Sequence, residues 1–340
     1  MAEAEINMTK TFFGKLNSGE EIYKFTLSNE NVSLSVIEYG ASIQSLTFRG
    51  KEMVLGYDKL DDYVKYTDCF GAIVGRYANR IENGTFSLSG KNYNLYKNDG
   101  NNTLHGGKIG YHRVKWTGRE EDGKIVMEYL SKDGEEGFPG NLSVSVVYKL
   151  YNDGIGIEYI AKSDKDTVVN LSNHSYFNLS DGKDTIERHY LTLDADKFTP
   201  VKEGLIPTGE LRLVDGTPFD FRKTKLIGRD INSDDEQLKI AGGYDHNFVI
   251  NGKGFRRFAE VYSDITGISM YCYTDMPGVQ VYSGNFLNDR TIKGGKDIHR
   301  RYGLCLETQY FPNSVNIPSF PSTILKAGET YKSRTEYRFK

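Results

Sequence analysis

The sequence has few cysteines and no long apolar run. Its three cysteines, Cys69, Cys272 and Cys305, lie far apart, which favours a reduced compartment over a disulfide framework. Cys272 and Cys305 stand within apolar stretches and are expected in the core. The apolar runs are shorter than a membrane span, and residues 1–10 have no apolar core of the kind found in signal peptides. We therefore expect a cytoplasmic protein without a membrane partner.

The chain also lacks a surplus of basic residues and the common motifs for metals and nucleotides. Its 43 basic and 46 acidic side chains are interspersed and leave a net charge of -3, so no basic stripe is available for nucleic acid. No CxxC, HExxH, phosphate-binding GxxxxGK(S/T) or GxSxG pattern is present. These absences leave open only a metal site that is assembled from distant residues.

Aromatic residues and period-two alternation dominate what the sequence does contain. There are 24 Tyr and 18 Phe against one Trp, and Tyr and Phe favour strands. Apolar residues recur at every second position in segments 32–36, 125–129, 155–159, 268–272, 279–282 and 331–339. This pattern predicts an all-β fold of many antiparallel strands in two packed sheets.

Turn and helix signals complete the predicted architecture. Ser89-Gly90 and Asn152-Asp153-Gly154 are typical of hairpin turns, and Asp275-Met276-Pro277-Gly278 is turn-like. Only residues 60–66 and 234–240 show a helical pattern, so few, short helices are expected. No repeat, linker or low-complexity tract divides the chain, and we expect a single domain over residues 1–340.

His174 stands in the segment NLSNHSYFNL, among polar side chains and beside the bulky Tyr176 and Phe177. A histidine that is held by hydrogen bonds and shielded from water on one side can donate a proton near neutral pH. Taken alone, however, the segment favours a buried structural histidine.

Glu307 is the charged residue in the most unusual position, because it directly follows the apolar run Leu304-Cys305-Leu306. A charge in such a place is costly unless it has a partner. Partial burial would raise the pKa of this carboxyl and make it a better base. Alternatively, Glu307 marks the point at which a strand leaves the core.

Three more stretches concentrate polar groups. Asn79 and Arg80 precede an apolar residue, His105 is followed by two glycines, and Asp245 precedes a strand-like segment. Arg80 can bind ligand hydroxyls or a carboxylate, and Asp245 can bind sugar hydroxyls or orient a histidine. The structural alternatives are a surface ion pair for Arg80, an exposed turn for His105 and an ordinary turn residue for Asp245.

Taken together, these stretches resemble the aldose 1-epimerase (galactose mutarotase) family. The resemblance follows the chain in order and spans nearly all of it. It rests on Asn79-Arg80-Ile81, Thr103-Leu104-His105-Gly106-Gly107, Asn173-His174-Ser175-Tyr176-Phe177-Asn178-Leu179, Thr217-Pro218-Phe219-Asp220-Phe221-Arg222, Tyr244-Asp245-His246, Pro277-Gly278-Val279-Gln280-Val281-Tyr282, Leu306-Glu307-Thr308-Gln309 and the loop Pro312 to Pro321.

The resemblance implies a large antiparallel β-supersandwich with few short helices. It also implies an enzyme that interconverts the α and β anomers of free hexoses, such as galactose and glucose, without a cofactor or a metal. Glu307 is implied as the general base and His174 as the general acid. The residues implied to contact the sugar are His105, Arg80, Asn79, Asp245 and Gln280.

The chemistry of anomer exchange sets a condition on the acid and the base. Ring opening takes a proton from the C1 hydroxyl and gives one to the ring oxygen, and both oxygens are bonded to C1. Glu307 and His174 must therefore lie close together. We expect Glu307 to be ionised at neutral pH, since the ordinary pKa of Glu is about 4.3, and we expect its charge to raise the pKa of His174.

Two other functions remain open at this stage. A sugar-binding module would use the same pocket without catalysis. A hexose-6-phosphate 1-epimerase would need a cluster of basic residues near the pocket, which Arg76 and Arg80 alone do not establish. The preferred aldose, a share of His105 in the acid role, and the choice between monomer and homodimer are not determined by the sequence.

Overall fold

Alternating apolar and polar side chains build three large antiparallel sheets in residues 6–340, the part of the chain that this computed structural model describes. Strand Leu142–Tyr151 illustrates the rule, because its buried residues recur at every second position. The expectation that residues 1–10 hold no signal peptide falls partly on residues 1–5, which lie outside the described residues. Within residues 6–340, no helix is long and apolar enough to cross a membrane.

The first of these, the large sheet, has nine strands and contains the last strand of the chain near its centre. Its strands, in spatial order, are Thr117–Glu121, Lys124–Ser131, Leu142–Tyr151, Gly154–Ser163, Thr330–Phe339, Ile268–Thr274, Arg256–Ser263, His189–Leu193 and Lys225–Leu226.

The second and third sheets, which we call the N-terminal sheet and the floor sheet, cover one face of the large sheet. The N-terminal sheet consists of Asn7–Lys15, Glu21–Ser28, Val32–Ile37, Ser42–Phe48 and Lys51–Glu52. The floor sheet consists of Tyr176–Phe177, Leu304–Gln309, Gly278–Tyr282, Asp245–Val249, Lys197–Phe198 and Arg212–Leu213.

Aromatic contacts join both smaller sheets to the large one. Phe48 of the N-terminal sheet stacks on Phe339 of the large sheet, with ring centroids 5.4 Å apart. Phe177 of the floor sheet packs on Tyr337 at 4.7 Å. Both pairs belong to one continuous apolar core between the two layers. The predicted all-β, antiparallel supersandwich is therefore confirmed, with the second layer divided between two sheets.

Shorter elements form the loops and the rim. Within the described residues, six two-stranded ribbons pair Arg80–Ile81 with Thr103–Leu104, Ile73–Val74 with Ser172–Asn173, Thr85–Leu88 with Lys91–Asn94, Thr167–Val168 with Ile324–Leu325, Val201–Lys202 with Ile206–Pro207, and Arg290–Ile292 with Lys296–Ile298. Short 3₁₀ turns span Glu82–Gly84, Tyr111–Arg113, Glu135–Gly137, Ile186–Arg188, Ile227–Arg229, Lys293–Gly295 and Ser314–Asn316.

The two predicted helices are present as Leu60–Lys65 and Glu236–Ala241. The second has a clear start and stop: the Asp235 carboxylate accepts hydrogen bonds from the backbone of Gln237 and Leu238, and Gly242 ends the helix at a φ of 69°. Such capping explains how a helix of only six residues persists in a β protein.

The predicted turns differ in what they connect. Ser89-Gly90 and Asn152-Asp153 close hairpins between adjacent strands, as expected. The turn at Asp275-Met276-Pro277 instead carries the chain from the large sheet into the floor sheet. It therefore links the two layers and delivers strand Gly278–Tyr282 to the pocket.

Candidate active site

Three neighbouring floor-sheet strands carry polar side chains on the face that points away from the core. Strand pairing sets Asn247, Gln280 and Glu307 opposite one another in one row. The next row holds Asp245, Tyr282 and Cys305. Since side chains alternate along a strand, these residues share one face, while Val279, Val281 and Leu306 occupy the core face.

Glu307 lies in the middle of this polar face and is only 2% exposed. Its strand continues to Gln309, so the alternative that Glu307 marks the exit of a strand from the core is wrong. Its Oε2 has no hydrogen-bond partner among the described residues. Burial raises its pKa well above the ordinary value, and the nearby Asp245 carboxylate acts in the same direction.

His174 stands directly across from Glu307, at the end of strand Ser172–Asn173. Its backbone N–H donates to the Ala72 carbonyl, and its own carbonyl accepts from Gly71 N–H. This pairing holds the imidazole so that Nε2 lies 3.6 Å from Glu307 Oε1. The imidazole also packs against the rings of Tyr176 and His105, with ring centroids 5.1 Å and 5.2 Å away, and these contacts restrict its orientation.

His105 is locked to Asn79 by a reciprocal pair of bonds. The backbone N–H of Asn79 donates to His105 Nδ1 at 3.1 Å, and the backbone N–H of His105 donates to the Asn79 carbonyl. Both residues have left-handed backbone, with φ values of 63° and 50°. Gly106 follows because a Cβ there would collide with the Gly75 carbonyl oxygen, which explains the first glycine after His105.

The hydrogen bond to Nδ1 decides what His105 offers to the pocket. Since Nδ1 accepts a proton donor, the neutral ring must carry its own proton on Nε2. Burial lowers the pKa of His105 well below its ordinary value, with smaller contributions from His174, His112 and Arg80. His105 is therefore a neutral hydrogen-bond donor in this geometry, suited to a hydroxyl group.

Arg80 supplies the positive charge of the site, and Asp99 holds it. Arg80 Nε donates to Asp99 Oδ2 at 2.7 Å, with the arginine side chain only 11% exposed. Asp99 belongs to the loop before Thr103–Leu104, the strand that pairs with Arg80–Ile81. The ribbon and the ion pair together fix the guanidinium at the pocket wall.

Asp245 and Gln280 form the deeper end of the polar face. Gln280 Nε2 donates to Asp245 Oδ1 at 2.7 Å. Burial raises the pKa of Asp245, while Arg80 and the Gln280 hydrogen bond oppose this rise. The neighbouring His246 faces the other side of the strand and packs on Phe219. Its Nδ1 accepts a hydrogen bond from the backbone N–H of Asp245, so the Asp245 carboxylate does not orient that histidine.

These side chains surround a pocket of about 320 Å³, near the lower end of the range for small-ligand sites. Its walls are Thr67, Asp68, Cys69, Asn79, Arg80, Leu104, His105, His174, Tyr176, Asp245, Tyr282, Phe286, Asn288 and Glu307. Six of the seven site residues predicted from the sequence line it. The seventh, Gln280, does not line the pocket but donates a hydrogen bond to Asp245, which does. Four surface depressions elsewhere on the described residues are larger, but none of the four is lined by a histidine.

The protonation states differ from the sequence prediction. Burial lowers the pKa of His174 to about 4, against a smaller opposing effect of a hydrogen bond with its own backbone. The expectation that Glu307 would be an ordinary ionised carboxylate that raises the pKa of His174 is therefore wrong. The physical reason is that desolvation penalises both charges, so the pair favours a proton on Glu307 and a neutral imidazole.

The histidines also bear on the metal question that the sequence left open. His105, His174 and Glu307 have potential ligand atoms within 4.8 Å of one another, a donor set that zinc can use. However, the Asn79 N–H on Nδ1 of His105 leaves a proton, not a lone pair, on Nε2. The geometry of His105 thus fits a hydroxyl better than a metal ion.

Sequence reasoning missed several residues of the site. Asp99 and Tyr282 were not assigned a role, Tyr176 was expected only to shield His174 from water, and Cys305 was assigned only to the core. Cys305 is buried as expected, yet its Sγ lies 3.6 Å from His174 Nδ1. The i, i+2 spacing of Cys305 and Glu307 on one strand was the signal that could have placed this thiol on the pocket face.

Known proteins resemble this chain over nearly its whole length. The sequence model described as Aldose 1-epimerase matches residues 23–338. The chain is 42% identical to the galactose mutarotase of Bos taurus, covering 98% of this chain and 99% of that protein. It is 37% identical to the aldose 1-epimerase of Escherichia coli K12, covering 92% and 93%.

A solved structure shows the same fold. The galactose 1-epimerase of Lactobacillus acidophilus superimposes with a TM-score of 0.90 at 30% sequence identity, and 99% of each chain is covered. Taken with the sequence matches, this shows that the chain belongs to the aldose 1-epimerase family, which is a family of isomerases. The resemblance, the enzyme class and the mutarotase function predicted from the sequence are confirmed at this level.

The Arg80–Asp99 pair yields a first prediction. Asp99→Asn removes the charge that holds the guanidinium, so we expect the KM for the aldose to rise roughly three- to tenfold, as for a partly exposed ion pair. The kcat should change less, because Glu307 and His174 remain in place. Initial-rate polarimetry at several sugar concentrations separates the two constants.

The matched control is Asp133→Asn, which removes the charge from an exposed ion pair with Lys165; neither residue lines the pocket. It should leave both constants unchanged. An Asp99→Asn enzyme with the wild-type KM would show that the ribbon alone positions Arg80.

Proposed function

We propose that this protein is an aldose 1-epimerase that interconverts the α and β anomers of free hexoses such as galactose and glucose. The single observation that carries the proposal is the buried pair of Glu307 Oε1 and His174 Nε2, 3.6 Å apart in a pocket of about 320 Å³. One base and one acid at that separation can serve two oxygens bonded to the same carbon.

In the proposed reaction, Glu307 takes the proton of the C1 hydroxyl while His174 Nε2 protonates the ring oxygen. The C1–O ring bond breaks and an aldehyde forms at C1. Rotation about C1–C2 then exposes the other face of the carbonyl. Closure reverses both proton transfers and yields the opposite anomer. Each partner contributes about 10²–10⁴ in rate in typical general acid–base catalysis.

Glu307 and His174 share one transferable proton both before and after ring opening. With the proton on His174, the site has a carboxylate base and an imidazolium acid, ready to open a ring. Opening leaves the proton on Glu307 and a neutral His174, which is the state that burial favours. The desolvated pocket therefore stabilises the arrangement that accompanies the open-chain aldose and that carries out closure.

The remaining polar groups suit a sugar ring. His105 offers a neutral N–H donor, Arg80 a fixed guanidinium and Asp245 a carboxyl that Gln280 orients. We propose that these residues, with Asn79 as the support of His105, bind the hydroxyls and position C1 over the acid–base pair. This geometry supports a donor role for His105 and leaves the acid role to His174.

Loss of either proton-transfer group should abolish most activity. We expect Glu307→Gln and His174→Asn each to lower kcat by at least roughly 10²-fold, the usual contribution of a general acid or base. Polarimetry of freshly dissolved α-galactose and α-glucose measures the rate, and circular dichroism checks the fold.

The exposed substitutions Glu203→Gln and His299→Asn serve as controls and should be neutral. If either site variant kept near-full turnover, the role assignment would be wrong. Binding of the aldose by the wild-type protein without any acceleration would instead identify a sugar-binding module.

The charge of the pocket argues against a phosphorylated substrate. Among the described residues that line it, Arg80 is the one Lys or Arg side chain and already pairs with Asp99, while the nearby Arg290 pairs with Asp68. Arg76 is 1% exposed and binds Ser131, Thr167 and Pro139 inside the protein. A phosphate group would therefore lack the basic cluster that it needs.

We expect glucose 6-phosphate neither to be converted quickly nor to compete well with glucose. Its kcat/KM should lie at least roughly tenfold below that of glucose, the factor that corresponds to about 1.4 kcal/mol of unfavourable interaction. A polarimetric rate panel of galactose, glucose, xylose, arabinose and glucose 6-phosphate measures this directly. Equal kcat/KM values for glucose and its 6-phosphate would support the hexose-6-phosphate epimerase instead.

The shared proton predicts the pH profile. Because burial lowers the pKa of His174 to about 4, the pair takes up a second proton only near that pH, and below it no base remains. We expect kcat/KM to stay level through neutral pH and to fall as the pH drops through about 4.

The spontaneous reaction must be subtracted at each pH, and Glu307→Gln provides the matched blank. An acid limb centred near 6.5, the ordinary pKa of histidine, would show that His174 titrates as an exposed imidazole and would contradict the desolvated pair.

Several sequence predictions about the wider setting stay predictions. We propose that residues 1–340 act as one domain, as a monomer or homodimer in the cytoplasm. The free aldose is the proposed partner, and no nucleic-acid or membrane partner is expected.

A further inference from the structure

The imidazole of His174 contacts a thiol on the side opposite its catalytic nitrogen. Cys305 Sγ lies 3.6 Å from Nδ1, while Nε2 faces Glu307 Oε1. Both residues are buried, with Cys305 at 0% and His174 at 6% exposure. The ring is thus held between a sulfur atom and a carboxyl group.

The position of the thiol is set by the floor sheet. Cys305 pairs with Tyr176 on one side and with Tyr282 on the other, and both tyrosine rings also pack against His174. Two residues further along the same strand and face stands Glu307. One strand therefore carries both the proposed base and the group that touches the back of the proposed acid.

A histidine that exchanges a proton at Nε2 keeps its second proton on Nδ1. This holds both before the transfer, when the ring is an imidazolium, and after it, when the ring is neutral. Nδ1–H therefore needs an acceptor throughout the reaction. Sulfur is a weak acceptor, and burial raises the pKa of the Cys305 thiol well above its ordinary value, so it stays uncharged.

We propose that Cys305 is a positioning residue that accepts a hydrogen bond from His174 Nδ1–H and so makes Nε2 the proton-exchanging nitrogen. The inference rests on the proposed function for its catalytic meaning. A carboxylate in this place would stabilise the imidazolium and weaken the acid, whereas a neutral thiol fixes the tautomer without doing so.

Other titratable groups face this pair from several elements. They are Glu307, Asp245, Tyr282 and Tyr176 of the floor sheet, Cys69 of the pocket wall, and His105, which directly follows strand Thr103–Leu104. Asp245 and Glu307 lie on the Nε2 side or across the pocket, so the thiol is the side-chain partner of Nδ1, in addition to the hydrogen bond of the ring with the His174 backbone.

Kinetics of three variants test the role. Cys305→Ala should lower kcat roughly five- to tenfold, the effect of losing about one weak hydrogen bond, with KM nearly unchanged. Cys305→Ser keeps a small acceptor and should recover most of that loss. Cys272→Ala removes a thiol that is equally buried but lies in the large sheet, and it should have wild-type kinetics.

An NMR measurement tests the same contact without reference to catalysis. Long-range ¹H–¹⁵N correlation spectra of the sugar-free protein identify the tautomer of each histidine ring. We expect Nδ1–H for His174 in the wild-type protein and a shift towards Nε2–H in Cys305→Ala. The Cys305→Ser variant should retain Nδ1–H, which covers the case in which the alanine variant does not fold.

The outcomes distinguish a failure of the positioning role of Cys305 from a failure of the proposed function. The same His174 tautomer in wild type and Cys305→Ala, or an equal kcat for both, would overturn the positioning role. An equal loss of kcat in Cys305→Ser and Cys305→Ala, with the wild-type tautomer of His174 in both, would show that the thiol only packs against the ring. If the wild-type protein accelerated no mutarotation, the proposed function would fail while the tautomer result would still decide the contact.

Discussion

The burial of Glu307 in the middle of a strand is the constraint on which the rest of the structure depends. A carboxyl group that is 2% exposed can be tolerated only as an acid or beside compensating groups. The floor sheet provides the place, because one face of strand Leu304–Gln309 packs into the core and the other opens to the pocket. Burial in the middle of this strand is therefore the main reason for the raised pKa of Glu307, and the nearby Asp245 carboxylate adds to it.

This constraint extends to His174, since the two residues are desolvated together. Neither can carry a charge cheaply, and one proton moved across 3.6 Å converts a neutral pair into an ion pair. Stabilisation of both states within a small free-energy difference suits a reaction that must run in both directions. A strongly favoured ion pair would hold the site in the ring-opening state, and closure would become slower.

Much of the fold could be predicted from the sequence, and part of the site could be. Period-two alternation is local, so strands such as Leu142–Tyr151 and both short helices are visible in the printed residues. Glu307 and Cys305 share a face by spacing alone, but the contact of Cys305 with His174 joins positions 131 residues apart. Asp99 holds Arg80 through a loop that no motif marks. The pKa prediction failed because desolvation depends on what covers a residue from distant parts of the chain.

These contacts explain why the floor sheet and the loops above it have different roles. The floor sheet holds the proposed base, the thiol and the Asp245–Gln280 pair on hydrogen-bonded strands, where a shift of one residue would turn them into the core. His105 and Arg80 come instead from a two-stranded ribbon at the rim, held by Asn79 and Asp99. Proton transfer requires sub-ångström placement of two atoms, whereas recognition of hydroxyls tolerates variation in length and shape of loops. The rim can therefore change with the preferred aldose while the floor keeps the chemistry constant.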